Sequence, residues 1–208
     1  MRSTKFAAVT AAALFTLSMA ACGDDGTSTT DAGAAAATSA AAEPTMATMD
    51  GEFGAGCAAV PSDPSNPGSF AGMAKDPVAT AASNNPALAT LVTAVSKAGL
   101  VDSLNTAGAV TVFAPTNDAF AKIPKADLDK VLADKATLTK ILTYHVVPQR
   151  LAPEQLAGTF KTLQGGEVTV AGSGEAFTVN GGSKVVCGNV QTANATVYIV
   201  DSVIMPKA

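Results

Sequence analysis

The chain has 208 residues, which is enough for one domain of about 150 residues with additional segments. Only 14% of the residues are charged, the net charge is −4, and the chain has no Trp and two Tyr. This composition argues against a basic nucleic-acid-binding surface and against a platform of aromatic rings for stacking bases. With one His and three Cys, neither a zinc or iron site with several ligands nor a cofactor is expected.

Residues 1–21 have the pattern of a secretory signal peptide. Arg2 and Lys5 form a positive start, and the uncharged run that follows is shorter than the ~20 apolar residues of a membrane span. Cys22 follows two alanines, which is where bacterial lipoproteins carry their lipid-modified cysteine. We therefore predict a lipoprotein signal peptide, with acyl chains such as palmitate anchoring Cys22 to the membrane. A plain cleaved signal with an incidental cysteine is the alternative.

Residues 22–56 are predicted to be a disordered linker rich in Ala and Thr. The linker contains six acidic residues and no Lys or Arg, whereas residues 57–208 contain 11 basic and 11 acidic residues. Its large apolar side chains are Met46, Met49 and Phe53, too few to offset the entropy of folding. The Thr and Ser residues between 27 and 39 are candidate sites for O-linked glycans, and an unmodified spacer is the alternative.

Helix-start signals dominate the first half of the predicted domain, residues 57–208. Each is a polar side chain that can bind the free N–H groups of a first turn, in two cases directly before a proline. The predicted capping residues are Asp76, Asn85, Thr116 and Asp134. Apolar residues then recur at helical spacing as far as Gly99, and a shorter helix is expected around 101–104. The lysines of 122–140 alternate with aspartates, which predicts an ordinary solvated face.

Strand signals dominate the second half. A first strand is predicted at 111–114, and after residue 158 apolar residues alternate with polar ones between glycine-rich turns, as in short antiparallel strands. The last run, 196–205, is apolar enough for a central strand. Helices first and strands later predict a single α+β domain.

Two cysteines and one asparagine are candidates for covalent modification. Cys57 and Cys187 remain once Cys22 is assigned to lipid, and two cysteines of an exported protein usually form a disulfide. A reactive thiol is the alternative, although no Cys-x-x-Cys motif supports it. Asn194 begins an N-glycosylation triplet, which is a weak pattern in a bacterial protein.

Three motifs resemble the signatures of fasciclin (FAS1) domains. They are TVFAPTNDAF at 111–120, the Tyr-His motif at Tyr144-His145, and VYIVDSVIMP at 197–206. The chain resembles still more closely the mycobacterial-type surface and secreted fasciclin antigens. The motifs shared with that subgroup are GAGCAA at 54–59, DPVA at 76–79, NNP at 84–86 and VVCG at 185–188.

The resemblance implies a wedge of β-sheet with helices packed around it, and a disulfide between Cys57 and Cys187. It also implies adhesion, with a cell-surface or extracellular-matrix macromolecule as partner and no enzymatic activity. In some fasciclin domains the Tyr-His region contacts integrins, as do an acidic and an apolar residue of the last motif. The matching candidate interaction residues are Tyr144, His145, Asp201 and Ile204.

The residues themselves favour structural roles for two of these candidates. His145 lies four residues after Ile141, on the apolar face of a predicted helix, which predicts a buried and hydrogen-bonded imidazole. In a continuous strand, Asp201 would point to the same face as Val197 and Ile199. A charge on that apolar face predicts either a bulge that exposes it or a buried, hydrogen-bonded carboxylate.

We therefore predict a lipid-anchored adhesion module on the outer face of the cell membrane or envelope, with partial release left open. The alternative is a carrier of a small hydrophobic ligand such as a lipid, held between helices and sheet. A hydrolase would need His145 as the general base for a Ser or Thr nucleophile.

Overall fold

The computed structural model describes residues 51–206, so the predicted signal peptide, Cys22 and most of the linker lie outside the described residues. The helices of this part are α1 (Phe70–Met73), α2 (Val78–Ser83), α3 (Ala89–Ala98), α4 (Val101–Thr106), α5 (Asn117–Ala121), α6 (Lys125–Ala133) and α7 (Lys135–Tyr144). The strands are β1 (Val110–Pro115), β2 (Val146–Val147), β3 (Gly158–Lys161), β4 (Glu167–Ser173), β5 (Ala176–Val179), β6 (Ser183–Gln191) and β7 (Ala195–Val200).

These seven strands follow one hydrogen-bonded order, β2-β1-β7-β6-β5-β4-β3. Neighbouring strands are antiparallel except β1 and β7, which run parallel. The turn between β3 and β4 reaches back towards β2, where the Leu163 N–H donates to the Val146 carbonyl oxygen (2.8 Å). The sheet thus forms a nearly closed wedge with helices around it, and the predicted α+β fold is confirmed.

Strand β7 lies at the centre of the molecule, and all six of its residues are buried. Val197 and Ile199 face the helices, whereas Tyr198 and Val200 face the interior of the wedge. A strand covered on both faces has a continuous apolar sequence rather than an alternating one. The predicted central strand is therefore confirmed as far as Val200.

The expectation that this strand continues to residue 205 was wrong. Pairing with β6 ends at Val200, and the segment that follows is irregular. Ile204 is nevertheless buried, because it packs in the wedge interior and donates its N–H to His145. Its apolar character reflects that packing and not a strand.

Three of the predicted helix caps are confirmed. In each one a side-chain oxygen accepts a hydrogen bond from an N–H of the first turn, which otherwise has no partner within the helix. The acceptor and donor pairs are Asn85 with Ala87 (3.0 Å), Thr116 with Ala119 (3.1 Å) and Asp134 with Ala136 (2.9 Å). Gly99 ends α3 with φ 72°, the left-handed conformation that glycine adopts readily.

The fourth predicted cap, Asp76, was wrong. Pro77 is the residue before the helix and has an extended conformation, so Asp76 lies too early to cap α2. The Val78 N–H instead donates to Asn194 Oδ1 (2.9 Å), from a residue 116 positions away. The Asp76 carboxylate accepts from Asn84 Nδ2 (3.3 Å).

The Asn194 side chain also binds the end of a second helix. Its Nδ2 donates to the carbonyl oxygens of Leu104 and Ala107, both at 2.8 Å, where α4 ends. An N-linked glycan would be attached to this nitrogen and would disrupt these contacts. The folded domain therefore uses the asparagine of the glycosylation triplet as a structural link between α2, α4 and the β6–β7 turn.

We expect Asn194→Ala to lower the free energy of unfolding by about 2 kcal/mol, because several hydrogen bonds worth roughly 1 kcal/mol each are lost and water replaces some of them. Urea denaturation monitored by circular dichroism measures this. Asn84→Ala, which removes the single 3.3 Å bond to Asp76, is the control and should cost less than about 0.5 kcal/mol. Equal midpoints for the two variants would contradict the prediction.

Residues 51–56 pack on the domain, although the boundary predicted at residue 57 assigned them to the linker. Phe53 is 6% exposed, and its N–H and carbonyl group both pair with Gly188 of β6. Its ring lies 5.8 Å from Phe177 and 6.3 Å from Tyr198 between centroids. The predicted boundary took into account only contacts within the linker, whereas the Phe53 side chain packs into the core of the domain.

Helix α6 was not predicted, because its charged residues suggested only a solvated face. Its apolar side chains Leu128, Val131 and Leu132 are half-buried against the helix-side core. None of its residues is fully buried, so the apolar periodicity in the sequence is weak.

Candidate interaction site

Tyr144 ends α7 and is only 2% exposed. Its hydroxyl donates to the Glu167 carbonyl oxygen (2.6 Å) and accepts from Asn180 Nδ2 (3.0 Å). These contacts join α7 to β4 and to the turn after β5. The side chain is therefore a structural link within the wedge and is not available to a partner on the folded surface.

His145 follows at the C-cap of α7 and is also 2% exposed. Nδ1 lies 2.8 Å from the Ile141 carbonyl oxygen, and Nε2 lies 3.0 Å from the Ile204 nitrogen. A carbonyl oxygen can only accept and a backbone N–H can only donate, so Nδ1 carries the proton and Nε2 accepts. Burial lowers the pKa of His145 to about 4, although the bond to Ile141 opposes that shift.

This geometry agrees with the structural interpretation of His145 and removes the basis of the hydrolase hypothesis. That hypothesis needs an imidazole nitrogen free to take a proton from a Ser or Thr hydroxyl. Both nitrogens of His145, the protein's one histidine, are bound to backbone groups instead. Ile204 is 2% exposed, so of the four candidate interaction residues only Asp201 reaches the surface.

The Asp201 side chain is 31% exposed and lies just after β7 rather than within it. Oδ1 accepts from the Lys184 N–H (2.8 Å), and Oδ2 lies 3.1 Å from Lys122 Nζ. Burial alone would raise the pKa of Asp201, but the bonds from Lys184, Lys122 and Ser202 together lower it below its ordinary value. The carboxylate is thus charged and hydrogen-bonded, as the structural interpretation expects, while remaining accessible.

Lys122 brings a positive charge to the same place. Its Nζ also lies 3.1 Å from Ser202 Oγ, and its side chain is 54% exposed. The sequence assigned Lys122 to an ordinary solvated face. No sequence signal pairs it with Asp201, which is 79 positions later in the chain.

Lys122 borders two surface depressions, and Asp201 borders one of them. One, of about 370 Å³, is lined by both of these residues, by Asp118, by the Gly56–Val60 region and by Val186 and Ile199. The other, of about 590 Å³, shares Lys122 and is lined further by Phe120, Ile123, Leu128 and their neighbours, but not by Asp127. Opposite charges beside an apolar floor can recognise a polar and apolar surface patch of a macromolecule.

The disulfide lies next to the first depression. Cys57 is in a 3₁₀ turn, Ala55–Ala59, and is bonded to Cys187 of β6, so the predicted pairing is confirmed. Gly54 has φ 103°, and a Cβ at this position would overlap the Val186 carbonyl oxygen. The first glycine of the GAGCAA motif therefore lets the backbone approach β6 closely enough for the disulfide to form.

Among the described residues, no group of three or more His, Cys, Asp and Glu side chains is arranged to hold a metal ion. Residues 51–206 also contain no helix that is long and apolar enough to cross a membrane.

Comparison with known proteins gives three findings. The chain is 46% identical over 212 residues to the Cell surface glycolipoprotein MPB83 of Mycobacterium bovis, covering 97% of this chain and 96% of that protein. It is 52% identical over 161 residues to the Immunogenic protein MPB70 of the same species, covering 74% and 82%. A solved FAS1 domain pair from the insect cell adhesion molecule Fasciclin I matches with a TM-score of 0.48 and 25% identity, over 58% of this chain and 45% of that one.

Residues 86–206, which contain all three motifs of the predicted resemblance, match the model of the Fasciclin domain. The match covers more than half of the chain, and the relative MPB83 is similar along almost its whole length. The chain therefore belongs to the fasciclin family.

Proposed function

We propose that the protein is a lipid-anchored interaction module of the cell surface, attached through Cys22 and without catalytic activity. The observation that carries this proposal is the extent of the similarity to a protein named as a cell surface glycolipoprotein. The alignment covers 97% of 208 residues, which leaves about six residues outside it. Cys22 lies further than that from either end of the chain, so the alignment includes the predicted lipidation site.

We expect the exported chain to partition into detergent and to carry the mass of acyl chains on Cys22. Cys22→Ser should move the protein to the aqueous phase, because stable anchoring depends on two or more acyl chains. Detergent-phase separation and intact-mass measurement, in a bacterium that processes lipoproteins, test this. A wild-type protein that partitions as Cys22→Ser does, with an unmodified Cys22, would support the plain cleaved signal instead.

We further propose that the interaction surface is the pair of depressions around Asp201 and Lys122. Tyr144, His145 and Ile204 are buried, which leaves Asp201 as the accessible member of the candidate set. The partner would be a cell-surface or extracellular-matrix macromolecule with a charged group beside an apolar patch. Such complementary charges contribute to specificity and to the rate of association.

Asp201→Asn tests this surface, because an amide oxygen can still accept from the Lys184 N–H while the charge is lost. We expect it to weaken saturable binding to a panel of matrix proteins and glycans about tenfold. Asp127→Asn is the matched control, since Asp127 forms an exposed pair with Lys130 (3.5 Å) on α6. If Asp201→Asn and Asp127→Asn bind equally well, this surface is excluded. If the wild type shows no saturable binding, the proposed interaction module loses its support.

The carrier alternative depends on the cavity between the helices and the sheet, which encloses about 90 Å³. Sites that enclose a whole small-molecule ligand usually measure about 300–1,000 Å³. The cavity is thus too small to enclose a whole lipid, and the interaction module is the function that we propose.

A further inference from the structure

An apolar cavity lies between helices α2, α3 and α4 and the helix-facing side of β1 and β7. Its floor is formed by Val112 of β1 and by Val197 and Ile199 of β7, and Leu91 and Val95 of α3 cover it. The cavity volume is about 90 Å³, somewhat smaller than the apolar cavity of about 150 Å³ that suffices to bind benzene in another protein.

Three polar side chains on the lining already have hydrogen-bond partners. Asn85 Oδ1 accepts from the Ala87 N–H (3.0 Å), and Thr143 Oγ1 donates to the Thr139 carbonyl oxygen (2.7 Å). Both ring nitrogens of His145 are bound to the backbone, as described above. The rest of the lining is almost entirely apolar, whereas a buried water needs two to four polar partners, so the space favours an apolar occupant.

The lining also reaches the surface. Leu163, in the β3–β4 turn, borders the cavity and is 48% exposed, although its backbone is fixed by the bond to Val146. Leu100, Val101 and Leu104 are half-buried and line the same space. A narrow apolar interior with an apolar rim fits the end of a chain whose remainder stays outside.

We propose that this cavity binds the terminal three or four carbon atoms of a hydrocarbon chain, with the rest of the chain lying across the rim at Leu163. The end of the chain would supply the dispersion contacts that the lining atoms lack when the space is empty. This site differs from a carrier pocket because it holds only part of a lipid. It shares only Ile199 with the depressions around Asp201 and Lys122, and the variants that test it are at other residues, so either proposal can fail without the other.

The test uses the full exported chain in its Cys22→Ser form, so that no attached acyl group competes for the cavity. The probes are straight-chain alcohols from propanol to octanol, followed by the NMR shifts of the Leu91 and Val95 methyl groups. We expect saturable shifts, with affinity rising about fourfold per methylene up to about four carbons and more slowly thereafter. Butane-1,4-diol, which has a polar group at each end, should not produce them.

Two variants fill the cavity from different elements, so that the test survives if one of them fails to fold. Ala81→Leu of α2 and Ala114→Val of β1 both replace a buried alanine of the lining. Each should weaken butanol binding at least tenfold. Unchanged binding in both would place the alcohol elsewhere and overturn the proposal, as would a wild type without saturable shifts for any alcohol.

The rim has its own matched pair of variants. Leu163→Ser should weaken octanol binding severalfold and leave butanol binding nearly unchanged, because only the longer chain reaches the rim. Met205→Ser is the control, since Met205 is similarly exposed (46%) but does not line this cavity. Equal effects of the two variants on octanol would show that the longer chain does not cross the rim at Leu163, contrary to the proposal.

Discussion

Replacing both Cys57 and Cys187 with alanine is expected to lower the free energy of unfolding by about 5 kcal/mol, the largest effect of any change considered for this domain. The bond joins residues 130 positions apart, and the entropy that a cross-link removes from the unfolded chain grows with the length of the closed loop. For a domain of this size the melting temperature should fall by about 10–20 °C.

Urea denaturation of the wild type with and without reductant, beside the double variant, measures this effect. The reduced wild type and the Cys57→Ala/Cys187→Ala variant should unfold at similar urea concentrations, well below that of the oxidised wild type. Reductant should not change the midpoint of the double variant. A reduced wild type that keeps the midpoint of the oxidised protein would contradict the prediction.

His145 gives the second large expected effect, a loss of about 3 kcal/mol of stability as the pH falls from 6.5 to 4. Its pKa is about 4 in the folded protein and about 6.5 in the unfolded chain. Between these values the unfolded chain binds the proton and the folded protein does not, so acid favours unfolding. Above pH 6.5 both states are neutral, and below pH 4 both are protonated, so the dependence is confined to this window.

His145→Gln is the matched variant, because it removes the titrating group and keeps an oxygen that can accept from the Ile204 N–H. The difference in unfolding free energy between wild type and variant should shrink by about 3 kcal/mol from pH 7 to pH 4. The pKa values of Asp63, Asp134 and Asp201 are also lowered, so protonation of these carboxylates in acid destabilises the fold. This contribution is the same in the wild type and the variant, so it cancels in the difference. Curves that stay parallel over this range would mean that His145 is not held neutral by burial.

The features that could be predicted from the sequence are those whose partners lie within a few residues. Thr116 caps α5 through an N–H three positions later, and Gly99 ends α3 by its own backbone conformation. The alternation in β4 and β5 follows from the period of a strand, whose successive side chains point to opposite faces. The Cys57–Cys187 bond was predictable because an exported domain with two remaining cysteines usually pairs them.

The candidate site was predicted only in part, because its partners are distant in the chain. His145 was expected to be buried, but nothing in the sequence links it to the Ile204 N–H, 59 positions later. Nor does any local pattern pair Lys122 with Asp201. Motif similarity proposed four candidate interaction residues, and burial leaves only Asp201 accessible to a partner.

The sequence by itself determined the fasciclin family, the α+β class, the disulfide and most helix starts, because motifs, period and capping are local or compositional signals. Only the tertiary structure decided that Asn194 caps α2, that Phe53 joins the core, and that β1 and β7 run parallel. It also decided which candidate residues reach the surface and where an apolar cavity remains. These depend on contacts between residues far apart in the chain, which arise only when the sheet closes and the helices pack against it.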